Sequence, residues 1–219
     1  MSIIFKGKNS EIDFDIYPAK KSLTPPKKKR ITETVPFMNG EWDFSKIGGE
    51  QYYESRPCKY EFDIIGETKA EMNELAKCVA NWLTVDCEGE SLQDTDIPDF
   101  HFVVINADAS FSEDDCQGLL TVEFTCEPFM IGNETKSVKF KALAAATTDC
   151  TVTNKGSKAA PLTIKCGDNL TMTVNGESHE MKGGTHADYM MLPVGETTFT
   201  IQAISSNCTF TLEWCEVSL

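Results

Sequence analysis

Apolar and polar positions alternate most clearly in two places. Tyr60, Phe62 and Ile64 alternate with Glu61, Asp63 and Ile65, and Leu120, Val122 and Phe124 alternate with Thr121, Glu123 and Thr125. A period of two sends one set of side chains to a buried face, so both segments are expected as strands. Residues 100–105 form a more continuous apolar run, which fits a central strand. Between them lies the only convincing helix. Thr68 with Glu71 makes a Ser/Thr-x-x-Glu capping box, after which Met72, Leu75, Ala76, Val79 and Leu83 repeat at helical spacing. Trp82 falls just beside that stripe. The helix is expected to stop near Thr84, where Val85, Asp86 and Glu88-Gly89 break the pattern.

After Phe129 the texture changes. Residues 133–148 are polar, with the small run Ala144-Ala145-Ala146, and six short strand-like segments follow at 150–154, 162–166, 170–174, 189–192, 197–203 and 209–214, parted by Gly, Pro, Asn and Ser. The expected fold class is mainly β. It comprises a β-sandwich with one α-helix in an N-terminal domain of residues 1–135, a linker over 136–148, and a small C-terminal β-sandwich over 149–219.

The 219 residues carry 20 basic and 34 acidic side chains, for a formal charge of −14, which argues against general nucleic-acid binding. The basic residues are concentrated. Lys20, Lys21, Lys27, Lys28, Lys29 and Arg30 lie in an arm broken by Pro18, Pro25 and Pro26. Because proline lacks a donor and fixes φ, this arm is expected to be extended, unpaired for much of its length, and able to reach beyond its own domain. A basic arm on an acidic body suits docking on another copy. The nine cysteines are an odd count without Cys-x-x-Cys spacing, so they read as reduced core thiols of a chain folded in a cytoplasm. No stretch approaches the roughly 20 apolar residues of a membrane span, and the opening apolar run is too short for a secretory signal.

Candidate chemistry is sparse. Asp94, Asp96 and Asp99 invite a calcium reading, but the sixth and twelfth positions of such a loop hold Asp99 and Ile105 where Gly and Glu are required, leaving a solvated turn. His179-Glu180 with His186 lacks metalloprotease spacing, and Gly183-Gly184 disfavours a helix, so a hairpin loop with exposed histidines is expected. Neither a nucleophile elbow nor a phosphate loop occurs. No catalytic, metal or cofactor residue is therefore expected.

A further set of motifs occurs in a particular order: Ile4-Phe5-Lys6-Gly7-Lys8-Asn9-Ser10, Val35-Pro36, Gly40-Glu41-Trp42-Asp43, Tyr52-Tyr53 with Arg56, the helix ending in Trp82-Leu83, Leu92 with Asp94, and Phe124-Thr125-Cys126-Glu127-Pro128-Phe129. Asn154-Lys155-Gly156 with Pro161 and Leu192-Pro193-Val194-Gly195-Glu196 follow. In this order the chain resembles the distal tail (Dit) proteins of long-tailed bacteriophages, the siphophage tail component family. The resemblance implies a virion protein at the distal end of the tail, a hexameric ring that joins the tail tube to the tail-tip hub, tape measure and receptor-binding apparatus, and a lumen through which DNA passes. It also implies a ring-building first domain and a peripheral, galectin-like or jelly-roll-like second one. Residues 18–50 would form a belt between copies. The interface residues expected are Lys27, Lys28, Lys29, Arg30, Trp42, Tyr52, Tyr53 and Arg56, with Trp42 either anchoring the belt or filling its own core. An acidic lumen drawn from the acids between Glu41 and Glu127 would let DNA slide. Two rivals stand beside this role: a carbohydrate-binding host-recognition module that stacks a sugar on Tyr189 or Trp214, and a tail-tube or tube-initiator subunit.

Overall fold

The alternation at residues 60–64 becomes the strand around which the N-terminal half is organised. The computed structural model describes residues 1–37 and 39–219, and divides into two units, Met1–Met130 with Leu219 and Ile131–Ser218. The first contains β1 (Ile3–Phe5), β2 (Lys8–Asn9), α1 (Ser10–Phe14), β3 (Pro18–Leu23), β4 (Thr32–Glu33), β5 (Trp42–Asp43), β6 (Arg56–Ile65), α2 (Lys69–Thr84), β7 (Ser91–Asp94), β8 (Phe100–Asp114) and β9 (Gln117–Cys126).

β6 pairs antiparallel with β9 along its whole length, from Arg56 opposite Cys126 to Ile65 opposite Gln117. β8 flanks β9, β3 flanks β6, and the start of β8 leads through β7 to β1 and β2. Tyr60, Phe62, Ile64, Leu120, Val122 and Phe124 are all buried on one face, beneath α2. Burying each such side chain contributes ~1.5–3 kcal/mol. Helix α2 starts as its sequence specifies, with the Thr68 hydroxyl accepting from the Glu71 amide at 3.3 Å. Trp82 is buried although it flanks the apolar stripe, because its indole N–H donates to the Phe5 carbonyl at 3.0 Å and Phe14 stacks on its ring at 4.6 Å.

Two local features differ from expectation. Besides α2 there is the short helix α1, where the Asn9 side chain accepts from the amides of Glu11 and Ile12 and Asp15 closes the turn at φ 53°. Its five residues are too few to show a helical period. The proline-bearing arm is also less free than its composition suggests, since β3 pairs with β6 and places Lys20 opposite Glu61 and Lys21 opposite Tyr60. Pro18 is tolerated because it is the first residue of the strand, just before a register shift.

The second unit contains most of β10 (Met130–Ala142), then β11 (Thr148–Asn154), β12 (Ala160–Cys166), β13 (Leu170–Val174), β14 (Glu177–Met181), β15 (Gly184–Leu192), β16 (Gly195–Ala203) and β17 (Cys208–Ser218). Two layers, ordered β15-β12-β17-β10 and β11-β16-β13-β14, enclose one core to which Leu162, Ile164, Phe210 and Leu212 contribute from one side and Met172, Val174, Phe199 and Ile201 from the other. This is a β-sandwich. Residues 136–142, expected as linker, belong to β10, where Val138, Phe140 and Ala142 alternate with lysines and turn toward that core.

Candidate assembly interface

After β3 the chain leaves the sheet and folds on itself as a narrow ribbon. The Lys29 amide donates to the Tyr52 carbonyl, and the Glu54 amide to the Lys27 carbonyl, both at 2.8 Å. Further along, β4 pairs with β5, and the Phe44 amide donates to the Ile31 carbonyl at 2.8 Å. Ser45 ties the two sides together: its hydroxyl accepts from the Ile31 amide at 2.9 Å while its own amide donates to Asp43 at 2.8 Å. The Ser45 hydrogen bonds hold the Asp43 carboxyl below its ordinary range. The backbone of residues 27–33 is thus largely partnered within the ribbon, which corrects the expectation of a mostly unpaired arm.

A ribbon this thin has no interior, so its apolar side chains face outward. Trp42 is 54% exposed and stacks on Phe44 with centroids 6.4 Å apart. Trp42 therefore does not fill the core of its own domain. Ile31, Val35, Phe37, Ile47 and Tyr52 are exposed as well. Large apolar side chains exposed in one short segment, two of them stacked, are the kind of surface that interaction sites use. Next to it, Lys28, Lys29, Arg30 and Lys46, with Asp43, Ser45 and Gln51, line a cleft of about 320 Å3.

Of the residues predicted for an interface, Lys27, Lys28, Lys29, Arg30, Trp42 and Tyr52 are exposed on this ribbon, and Tyr53 is half-buried against Phe129 at 5.4 Å. Arg56 is different. As the first residue of β6 it is only 4% exposed, and its guanidinium lies 5.0 Å over the Phe102 ring with Nε and Nη1 unpartnered. It packs inside its own unit, so its assignment to an exposed interface is corrected.

The sheet face opposite α2 is polar. One row across it reads Asp108, Glu123, Lys59, Ser22; the next reads Ser110, Thr121, Glu61, Lys20; a third reads Ser112, Leu119, Asp63. Lys59 and Lys20 pair with Glu61 at 2.9 and 3.9 Å. That leaves Asp108, Glu123 and Asp63 to give the face an acidic excess. Asp108 and Glu123 stand directly opposite each other, which costs local stability.

Residues 95–99 form the expected solvated turn before β8, with Asp96 and Asp99 exposed, but Asp94 at its head, the last residue of β7, is not part of it. Asp94 is fully buried, with Lys21 Nζ 2.9 Å from its Oδ2 and 2.7 Å from Asp96, and the Tyr60 hydroxyl donating to it at 3.1 Å. An ammonium sits where a metal cation was considered. Burial works against the Lys21 charge, but hydrogen bonds to Asp96 and Asp94 outweigh it and raise its pKa. Nothing in local spacing reveals this contact, which spans 73 residues.

In the second unit His179 and His186 lie in strands β14 and β15, not in an exposed loop. Each ring centroid is 5.9 Å from that of half-exposed Tyr189. Trp214 is buried and cannot present a face to a sugar. All nine cysteines are free thiols, and burial pushes Cys166 up to about 11 and Cys150 up to about 12.

No protein-family model and no curated protein sequence matches the chain. Among solved structures, it is similar to the crystal structure of the SPP1 Dit (gp 19.1) protein, described as a paradigm of the hub adsorption apparatus in phages infecting Gram-positive bacteria. The TM-score is 0.71 and the identity 11%, over 100% of this chain and 99% of that one. The two chains share one fold. At that identity the shared property is the path of the backbone through both units, and the residues of the ribbon must be judged on their own chemistry.

Proposed function

We propose that this chain is a structural subunit of a phage tail tip, a distal tail component that closes into a hexameric ring between the tail tube and the tail-tip hub. In this role the tape measure and receptor-binding proteins are further neighbours, and DNA passes through the ring's lumen. The observation that carries the reading is the ribbon of residues 27–54. It exposes stacked Trp42 and Phe44 beside four cations on an otherwise acidic chain, on the backbone of a known tail-hub protein.

A closed ring needs a heterologous contact in which two different patches meet. The ribbon supplies one of them, with Trp42, Tyr52 and Lys27–Arg30 as its contact residues. The polar face of β8, β9, β6 and β3 suits a channel wall, since an acidic excess repels the DNA backbone and lets it slide. The number six comes from the family resemblance. Mass photometry and negative-stain imaging of the purified chain test the proposal: discrete six-membered rings are expected. A chain that stays monomeric at high concentration and in the presence of tail-tube and hub proteins would overturn it. Open tubes that grow with concentration would move the assignment to a tube subunit.

A carbohydrate-binding role keeps one supporting observation, the half-exposed Tyr189 set between His179 and His186. Reproducible saccharide binding by the intact protein, lost in Tyr189→Ala, is the result that would favour it.

A further inference from the structure

The ribbon's cations outnumber the anions beside them: Asp43 is close enough to Arg30 and Lys46 for both to lower its pKa, but it is one carboxylate against four cations in the cleft. Among the described residues, no carboxylate pairs with Lys27, Lys28, Lys29, Arg30 or Lys46. Four of these five line the cleft, and with Asp43 alone to offset them the remaining positive charge favours a further anion there.

A matching set of acids lies elsewhere in the same unit. At the β8–β9 turn, Asp114 pairs with Gln117, and Asp115 adopts φ 55°, so the chain reverses in two residues. Asp114 and Asp115 are exposed at this tip, with exposed Asp63 lining the same shallow groove as Asp114. Among the described residues none of the three forms a close ion pair, although Lys69, which holds their neighbour Glu113 at 2.9 Å, also feels the Asp115 charge. Exposed Ile65 and Leu119 border the acids, as Phe44 and Ile47 flank the cleft residues Ser45 and Lys46 in sequence.

The two patches cannot meet within one molecule. Tyr53 leads into the Arg56 end of β6, while the hairpin tip flanks the Ile65 end, and a ten-residue strand spans about 30 Å. We infer that the cationic cleft of one copy receives the acidic β8–β9 hairpin tip of a second copy, Asp114 and Asp115 meeting Lys28, Lys29 and Arg30. This rests on the ring reading and specifies the two surfaces that the ring joins. Such a contact is heterologous, and its charge-assisted hydrogen bonds fix register as well as strength.

Reciprocal charge reversal tests it. Lys28→Glu, Lys29→Glu and Arg30→Glu are combined in one full-length variant, and Asp114→Lys with Asp115→Lys in another; all five sites are exposed, and circular dichroism confirms folding. Mass photometry is expected to show that each variant alone loses assembly, with association weakened at least tenfold. Mixing the two variants is expected to restore it, because each then offers the other a complementary patch. The milder pair Arg30→Glu and Asp114→Lys should behave alike at smaller amplitude, and serves if the multiple variants do not fold. Wild type that assembles alongside a hairpin variant that assembles equally well overturns this contact alone and assigns the cleft to another acidic partner. Failure of the mixture to recover also overturns it. A wild type that never assembles removes both this contact and the ring reading.

Discussion

Strand β6 and the ribbon before it are neighbours in the chain and both carry many aromatic and branched side chains, but β6 buries them and the ribbon displays them. In β6 the apolar residues recur every second position, and partners on both sides supply ten-residue and six-residue strands against which one face closes. In the ribbon, Ile31, Val35, Phe37, Trp42, Phe44, Ile47 and Tyr52 follow no period, and strands β4 and β5 have two residues each. A two-stranded piece of that size has no second layer to pack on. The difference teaches that apolar content alone does not specify a core. Periodicity and strand length decide whether a segment covers its own apolar surface or offers it to a neighbour.

The strongest way to test that contrast is to cut one large side chain from the sheet. Phe62→Ala removes a fully buried ring beneath α2, and a loss of about 3–5 kcal/mol is expected in urea unfolding. A cost below about 1 kcal/mol would mean that the sheet is as open as the ribbon, and the comparison would collapse.

The border between the two regions can be attacked next. Lys21 on β3 pins the arm to buried Asp94, so Lys21→Met leaves a desolvated carboxylate with only the Tyr60 hydroxyl and the Asp96 amide. The expected loss is about 2–3 kcal/mol, toward the low end for breaking a buried pair because Lys21 keeps some contact with water. Hydrogen exchange should show that β3 loses protection first. Uniform destabilisation without selective opening of β3 would count against a pinning role.

Trp42→Ala reads the other side of the comparison. Unfolding free energy should move by no more than about 0.5 kcal/mol, as for an exposed site, while association into the proposed ring should weaken by ~2 kcal/mol, the usual contribution of an aromatic anchor at an interface. The opposite outcome, a destabilised monomer with unchanged assembly, would put Trp42 back among structural residues.

What could be read from the sequence follows the same division. β6, β9, the N-terminal cap of α2 and the six C-terminal strand segments were legible because their signals are local: alternation, a capping box, turn residues. β14 also had such a signal, since Asn175-Gly176 forms a two-residue hairpin with both residues at positive φ, between Val174 and Glu177. β3 was obscured by prolines, which argue for an unpaired chain unless the proline happens to start an edge strand. The buried setting of Asp94 and the inward turn of Arg56 depend on residues far away in sequence, and no spacing encodes them. The ribbon lay between these cases: its aromatic and basic residues were evident, while their exposure became clear only once its backbone pairing left no interior.

The smallest expected effect is a pH dependence that separates the arm's anchor from the ribbon. Hydrogen bonding to Lys21 holds the Asp96 carboxyl below its ordinary range, while the same contacts raise Lys21. A carboxyl with a lowered folded-state pKa stabilises the fold above its unfolded value, and that contribution disappears as pH falls through the folded value. For Lys21, raised in the folded state, the contribution is complete below its unfolded value and disappears only as pH rises through the folded one. The anchor should therefore be fully effective between about pH 5 and 9 and weaken below about pH 4. Melting temperatures of wild type and Lys21→Met, measured together from pH 7 to pH 3, should converge at the acid end, since the variant lacks the ammonium that acid would otherwise uncouple. Curves separated by a constant gap down to pH 3 would mean that the Lys21 contribution does not depend on carboxylate charge in this range, and coincident curves would mean that β3 is held to β6 by its backbone ladder alone.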